Sequence, residues 1–156
     1  MNPVRPDPVD RVWREYAERK FGVRLDRHEA DVHLAQLVAT QSEIEQVKYE
    51  LVRDEGYRAD QPIVVYRGPL GRVFIVDGHT RARVVWDTGG RTIRAVLLTS
   101  PSVELDVEFA RIAEAVGGGR PRRIGEVPIT DRLGVGSEAW HRRRQELLRD
   151  LHAECR

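Results

Sequence analysis

A chain of 156 residues with 40% hydrophobic content can bury a real core and is expected to form one compact domain with appendages. Its charged share of 33% nets to +1, which removes the whole-chain electrostatic argument for a nucleic-acid binder. The single cysteine, Cys155, excludes an intrachain disulfide and a cysteine metal cluster. The N-terminus has no signal-like apolar run, and no stretch approaches the roughly 20 apolar residues of a membrane span, so a cytoplasmic protein away from membranes is expected.

Residues 1–8 are punctuated by proline and read as an extended arm. From Val9 a helical pattern puts Val9, Val12, Trp13, Tyr16 and Ala17 on one face, with Gly22 as its stop. Arg24 to Ala30 reads as a charged connector. His33 to Val38 reads as a first strand or a short helical turn. Ala39 to Val47 then opens a second helix with the stripe Ile44, Val47, Leu51 and Val52, stopped by Gly56.

Pro62 starts a strand over Ile63 to Tyr66, and proline is tolerated there because a first position needs no ladder donor. Arg67-Gly-Pro-Leu-Gly71 is a turn. A return strand, Val73 to Asp77, makes an antiparallel hairpin with a five-residue loop. A helix carrying Ala82, Val85 and Trp86 follows, ended by Gly89-Gly90. Thr92 to Thr99 is another strand. Ser102 is placed to cap a helix from Val103 to Val116 with the stripe Leu105, Phe109, Ile112 and Val116. Gly117 begins a linker of about 20 residues rich in Gly, Pro and Arg. Ser137 is placed to cap a last helix with Ala139, Trp140, Leu147, Leu148 and Leu151. The class is α+β. The expected organisation is an N-terminal arm and helix (1–31), a central domain (32–116), and a linker with a C-terminal helix (117–156).

The chemistry concentrates at Asp77-Gly-His-Thr-Arg81, where a buried strand runs into a helix. Gly78 permits a sharp turn or close ligand approach. The helix start presents free backbone N–H groups and a partial positive charge suited to phosphate. Thr80 adds a hydroxyl and Arg81 a guanidinium for bidentate contact. His79 is a candidate acid or base near neutral pH. Asp77 is placed to hold a nucleotide-borne Mg²⁺ or to orient a hydroxyl. The plainer alternative is that Asp77 caps the helix, Arg81 pairs with an acid, and His79 is idle.

Thr40-Gln-Ser-Glu-Ile-Glu45 is the second candidate. Both Thr40 with Glu43 and Ser42 with Glu45 fit a capping box. In the second register Glu43 keeps a free carboxylate, the group needed to deprotonate a hydroxyl attacking a phosphoryl group. The remaining histidines, His28, His33, His141 and His152, lack metal-ligand spacing, and neither a P-loop nor a Gly-x-Gly-x-x-Gly fingerprint is present. No structural metal is expected.

From about Val32 to Val116 the chain resembles the ParB/sulfiredoxin superfamily. The resemblance is carried by the Thr40-Gln-Ser-Glu43 helix start, Glu55-Gly-Tyr57, Gln61-Pro-Ile-Val-Val65 and, most specifically, Ile75-Val-Asp-Gly-His-Thr-Arg-Ala82. It implies a small mixed sheet with packed helices, extended here by N- and C-terminal helices, and a loop that binds nucleotide phosphates or neighbouring anions. Sulfiredoxins carry Gly-Gly-Cys-His-Arg in this loop. Its cysteine has no counterpart in Asp77 to Arg81, which argues against sulfinic acid reduction. Partitioning ParB proteins carry Gly-Glu-Arg-Arg-like loops and a long DNA-binding domain that fits poorly into the 40 residues after Val116.

The most similar loop is the Asp-Gly-His-His-Arg of ParB-like free serine kinases, from which Thr80 departs. That resemblance implies ADP or ATP with Mg²⁺ bound at Gly78, His79, Thr80 and Arg81, with Gln41 and Ser42 beside it. It implies Glu43 as base, with Asp77 and His79 completing the catalytic set. The expected partners are a nucleotide and a small hydroxylated metabolite, with self-association left open. The competing expectations are a non-catalytic or nucleotide-hydrolysing DNA-associated module, with Arg120 to Arg123 and Arg142 to Arg144 touching phosphates, or a degenerate scaffold.

Overall fold

The computed structural model describes residues 9–154, and side chains from Asp10 to Asp150. The proline arm, Cys155 and the side chains of Val9, Leu151 and His152 lie outside the described residues. The elements run α1 (Val9–Phe21), β1 (Asp26–His33), β2 (Leu37–Val38), β3 (Ile44–Glu45), α2 (Gln46–Glu55), β4 (Ile63–Arg67), β5 (Val73–Asp77), α3 (His79–Asp87), β6 (Thr92–Thr99), α4 (Val103–Val116), β7 (Ile129–Thr130) and α5 (Glu138–Glu154).

The main sheet has the order β1-β6-β4-β5-β2. Its central strand β4 is parallel to β6 and antiparallel to β5, while β1 pairs antiparallel with β6 and β2 parallel with β5. Strand alternation divides the core in two. Ile63, Val65, Val73, Ile75, Ala95 and Leu97 face α2, α3 and α5. Val64, Tyr66, Phe74, Val96 and Leu98 face α1 and α4, where the Phe109 ring stacks on Tyr66 at 4.7 Å and on Phe74 at 5.6 Å. Two helical layers thus enclose one mixed sheet, an α+β architecture with helical extensions at both ends, as expected.

Several expectations hold in detail. The β4–β5 hairpin turns through Gly68 to Arg72. Gly22 and Gly56 end their helices in the left-handed conformation, and the Ser102 hydroxyl accepts the Leu105 N–H at 3.1 Å.

Three expectations are corrected. Arg24 to Ala30 is not merely a connector, because eight residues from Asp26 to His33 form the edge strand β1. Its side chains are mostly exposed and half of them are charged, which protects a sheet edge and hides the strand's period. It is tied to α1 through Asp10, whose carboxylate accepts from Arg27 at 3.0 Å.

The second helix starts at Gln46, not near Thr40. Glu45 is its N-cap, with extended backbone and no side-chain cap, so neither capping box forms. Thr40 is engaged elsewhere, by His79 and by the Ile75 carbonyl.

The stretch from Gly117 is packed, not a free linker. Ile124 and Val127 are each 1% exposed, and Ile129–Thr130 pairs in parallel with β3. Arg83 of α3 donates to the carbonyls of Ile124 and Val127. The last helix docks on its own domain, with Leu147 in the core and Trp140 and Leu148 packed against it. Among the described residues no helix is long and apolar enough to cross a membrane.

Candidate functional site

The α3 start is built around Gly78, with φ 103° and ψ 25°. A Cβ there would lie 2.4 Å from Ile63 Cγ2 in β4, so the joint is closed against the sheet in a way that requires glycine. No side chain caps this end; the helical ladder begins with Ala82 N–H donating to the Gly78 carbonyl at 3.0 Å. The amides of His79 and Thr80 precede that bond, in the first turn where a helix has no intrahelical acceptor for its N–H groups.

The side chains of this turn point inward. His79, Thr80 and Arg81 are 5%, 5% and 8% exposed. The His79 Nε2 accepts the Thr40 backbone N–H at 2.9 Å, so the ring proton resides on Nδ1. Burial lowers the His79 pKa to about 4, against a weaker opposing pull from Asp77. A neutral ring locked in this way serves as a strut for the Thr40 loop and is a poor acid or base at neutral pH. Arg81 donates to the carbonyls of Gln61 (2.7 Å) and Pro62 (3.2 Å) and to Asp77 Oδ2 (3.2 Å). Its guanidinium therefore fastens α3 to the start of β4, and Asp77 is its ion-pair partner.

The residue that sequence reasoning passed over is Lys48, in the first turn of α2. Its ammonium is partly buried and makes no hydrogen bond or ion pair with the described residues. Burial lowers its pKa, with Asp77 and Glu45 opposing and Arg58 and Arg81 reinforcing the shift. A lysine held among these groups beside uncapped amides is a ready counter-charge for an anion. The only sequence signal was its rarity, as one of two lysines against 24 arginines (26 less 2).

Glu43 and Gln41 lie in a neighbouring cleft of about 500 Å³, walled by β3, the start of α2, β7 and α5. Glu45 joins the two places, lining the cleft and facing Lys48. Glu43 is not free. Arg132 grips both carboxylate oxygens, at 2.5 and 2.8 Å, and with Thr130 holds the carboxyl below its usual range. Arg143 similarly donates to Glu45 at 2.8 Å, and the Trp140 indole N–H donates to Gln46 at 2.9 Å. Ser42 is exposed and does not line the cleft; its carbonyl accepts from Arg122. The structure thus gathers Asp77 to Arg81 with Lys48, places Gln41 and Glu43 next door, and leaves Ser42 aside.

The basic stretches are occupied internally. Arg120 pairs with Glu126, Arg123 donates to the Gln36 carbonyl, Arg142 pairs with Glu138 and Arg144 pairs with Glu55. Among the described residues no group of three or more His, Cys, Asp or Glu could hold a metal ion.

No protein-family model matches the chain, and no curated protein matches it. Solved structures do, two of them as follows. Protein Atu1540 from Agrobacterium tumefaciens is 17% identical over 65% of this chain and 62% of its own, with a TM-score of 0.52. A Pnob8-like ParB-N domain is 13% identical over 82% of this chain and 45% of its own, with a TM-score of 0.34. The chain spans less than two thirds of either. The likeness to Atu1540 is one of fold.

Proposed function

We propose that the chain is a ParB/sulfiredoxin-like nucleotide-binding protein that transfers a terminal phosphoryl group from ADP or ATP to a small hydroxylated metabolite. The observation that carries this reading is the uncapped start of α3 beside Lys48, whose ammonium lacks a partner among the described residues. Phosphate oxygens would take the orphan amides and the Lys48 ammonium together.

The fit is made by the backbone and Lys48, with Gly78 letting the helix start lie close against β4. Asp77 lies at the rim, paired to Arg81. Mg²⁺ would enter on the nucleotide's phosphates, where it neutralises developing charge, and Asp77 is the carboxylate nearest to assist it. The acceptor hydroxyl oxygen bonds to the terminal phosphorus as the bridging P–O bond breaks. The nucleotide leaves one phosphate shorter, and the hydroxyl proton passes to Glu43. Catalysis on this reading is positioning and charge stabilisation.

The experiment incubates the protein with ADP or ATP, Mg²⁺ and a panel of hydroxylated metabolites, with mass spectrometry of the products. Phosphorylated product that is lost in Glu43→Gln supports the reading. Absence of both product and nucleotide hydrolysis, with no nucleotide binding by calorimetry, overturns it.

A further inference from the structure

The cleft beside the α3 start presents a chemical puzzle. Its one candidate base, Glu43, is held by the two-pronged grip of Arg132. Thr130 of β7 also donates to that carboxyl, and Asp131, Glu45 in β3 and Arg143 in α5 line the same cleft. A carboxylate held this way has both oxygens committed and little appetite for a proton. The base has to be released before it can act.

The other carboxylates of the cleft are equally committed. Glu45 is held by Arg143, and Asp131 accepts the backbone N–H groups of Gly134 at 2.8 Å and Val135 at 2.7 Å. A ligand ammonium would find each cleft carboxylate already engaged, and at Glu43 it would occupy the base. A ligand anion does the reverse, because it competes with Glu43 for Arg132. The arginine is well placed to change partner. Its side chain is 75% exposed, and it stands on a turn whose Gly134 and Gly136 take left-handed backbone angles. Val47, Leu133 and Trp140 supply apolar wall for a short carbon skeleton.

We propose that Arg132 is the acceptor-sensing residue of the cleft: the carboxylate of a small hydroxy acid takes over its guanidinium and frees Glu43 to accept the proton of the same ligand's hydroxyl. This rests on the phosphotransfer reading and adds the acceptor class, a hydroxy-carboxylate with no required amino group. It also adds a control, in which the base stays masked until an acceptor arrives. Arg132 is a positioning and specificity-determining residue, acting on the reaction through Glu43.

The test uses the isotope-labelled full chain, wild type and Arg132→Gln, titrated with glycerate and with its neutral counterpart glycerol. Amide shifts at Gln41, Thr130 and Leu133 and the Trp140 indole signal report binding, and the Glu43 side-chain carboxyl resonance reports its titration. Glycerate is expected to bind the wild type at least tenfold more tightly than glycerol and to move the Glu43 midpoint to higher pH. Arg132→Gln is expected to abolish the preference and to raise the Glu43 midpoint without ligand. Arg132→Lys keeps the charge without the fork and is expected to fall between. Equal binding of glycerol, glycerate binding unaltered by Arg132→Gln, or an unmoved Glu43 midpoint at saturation each overturns the inference. Shifts at residues 78–81 and Lys48 on adding ATP and Mg²⁺ are read in the same samples. Their absence overturns the nucleotide reading separately, leaving the glycerate result to decide this one.

Discussion

Thr40 hands its backbone N–H to His79 Nε2 across 2.9 Å, joining the loop before α2 to the first residue of α3. The same threonine donates its hydroxyl to the Ile75 carbonyl at 2.6 Å. Two contacts from one residue hold the Thr40–Glu45 segment, which carries Gln41 and Glu43, against the strand-to-helix joint. The histidine that sequence chemistry nominates for proton transfer is the part that keeps the two halves of the site in register.

Burial of the His79 ring makes the fold acid-sensitive. The folded pKa of His79 is about 4 against an ordinary value of 6.5, so between these values the unfolded chain binds the extra proton and stability rises with pH. The contribution is fully present above pH 6.5 and is lost as pH falls towards 4. Full loss corresponds to about 3 kcal/mol, and the step from pH 7 to pH 5 to about 2 kcal/mol. Urea denaturation at the two pH values should show that difference in the wild type and lose most of it in His79→Gln. An undiminished difference in the variant would assign the acid sensitivity to other groups.

Gly78→Ala tests the closure of the joint. The substitution places a side chain at φ 103° and a methyl 2.4 Å from Ile63 Cγ2, so backbone strain and overpacking add to about 2–5 kcal/mol. Ile63→Ala removes the Cγ2 methyl but leaves the Cβ contact at 2.7 Å and the backbone strain. In a double-mutant cycle the pair should be less destabilising than the sum of the singles, and simple additivity would show that the joint relaxes without the contact.

The hairpin, the alternating core strands and the capped or glycine-stopped helices were legible because each is a local pattern. Ile63 to Tyr66 and Val73 to Val76 carry their two-sided burial in composition alone, and Ser102, Gly22 and Gly56 sit where helix ends require them. The strand-to-helix joint at Asp77 to Arg81 was legible as local structure, but the contacts of its side chains were not. Whether His79 points at solvent or at Thr40, and whether Arg81 reaches a ligand or the Gln61 carbonyl, depends on residues 20 to 39 positions away. The same holds for Glu43, whose partner Arg132 is 89 residues distant. Trp86 was expected on the apolar stripe, yet it lies 40% exposed against Gly125.

The C-terminal segment should prove inseparable from the domain. Ile124 and Leu147 are 1% and 4% exposed in the core that also holds Ile63, Ile75 and Ala82. Leu147→Ala and Ile124→Ala should each cost about 2–5 kcal/mol, with one cooperative transition retained. A transition that splits in two, with the half holding residues 77–81 unaffected, would restore the reading of a linker with a separate helix.

Lys48→Met should separate stability from binding. Burial depresses the Lys48 pKa, so in the free protein the charged form is disfavoured by folding and its cost is felt as pH falls below the ordinary lysine range. Removing the charge should therefore leave stability at pH 7 unchanged or higher. A bound phosphate reverses the balance, because it favours the charged ammonium. Affinity for ADP should fall as pH rises through the depressed Lys48 value, earlier than an ordinary lysine would dictate. In Lys48→Met it should be weaker by roughly tenfold or more at pH 7, the worth of one charge-assisted hydrogen bond, and flat across that pH range. Calorimetric titration with ADP between pH 7 and 10, beside thermal melts of the same samples, measures both. A variant that binds ADP as the wild type does would remove Lys48 from the site, and a variant that binds poorly only because it has lost stability would show it in the melt.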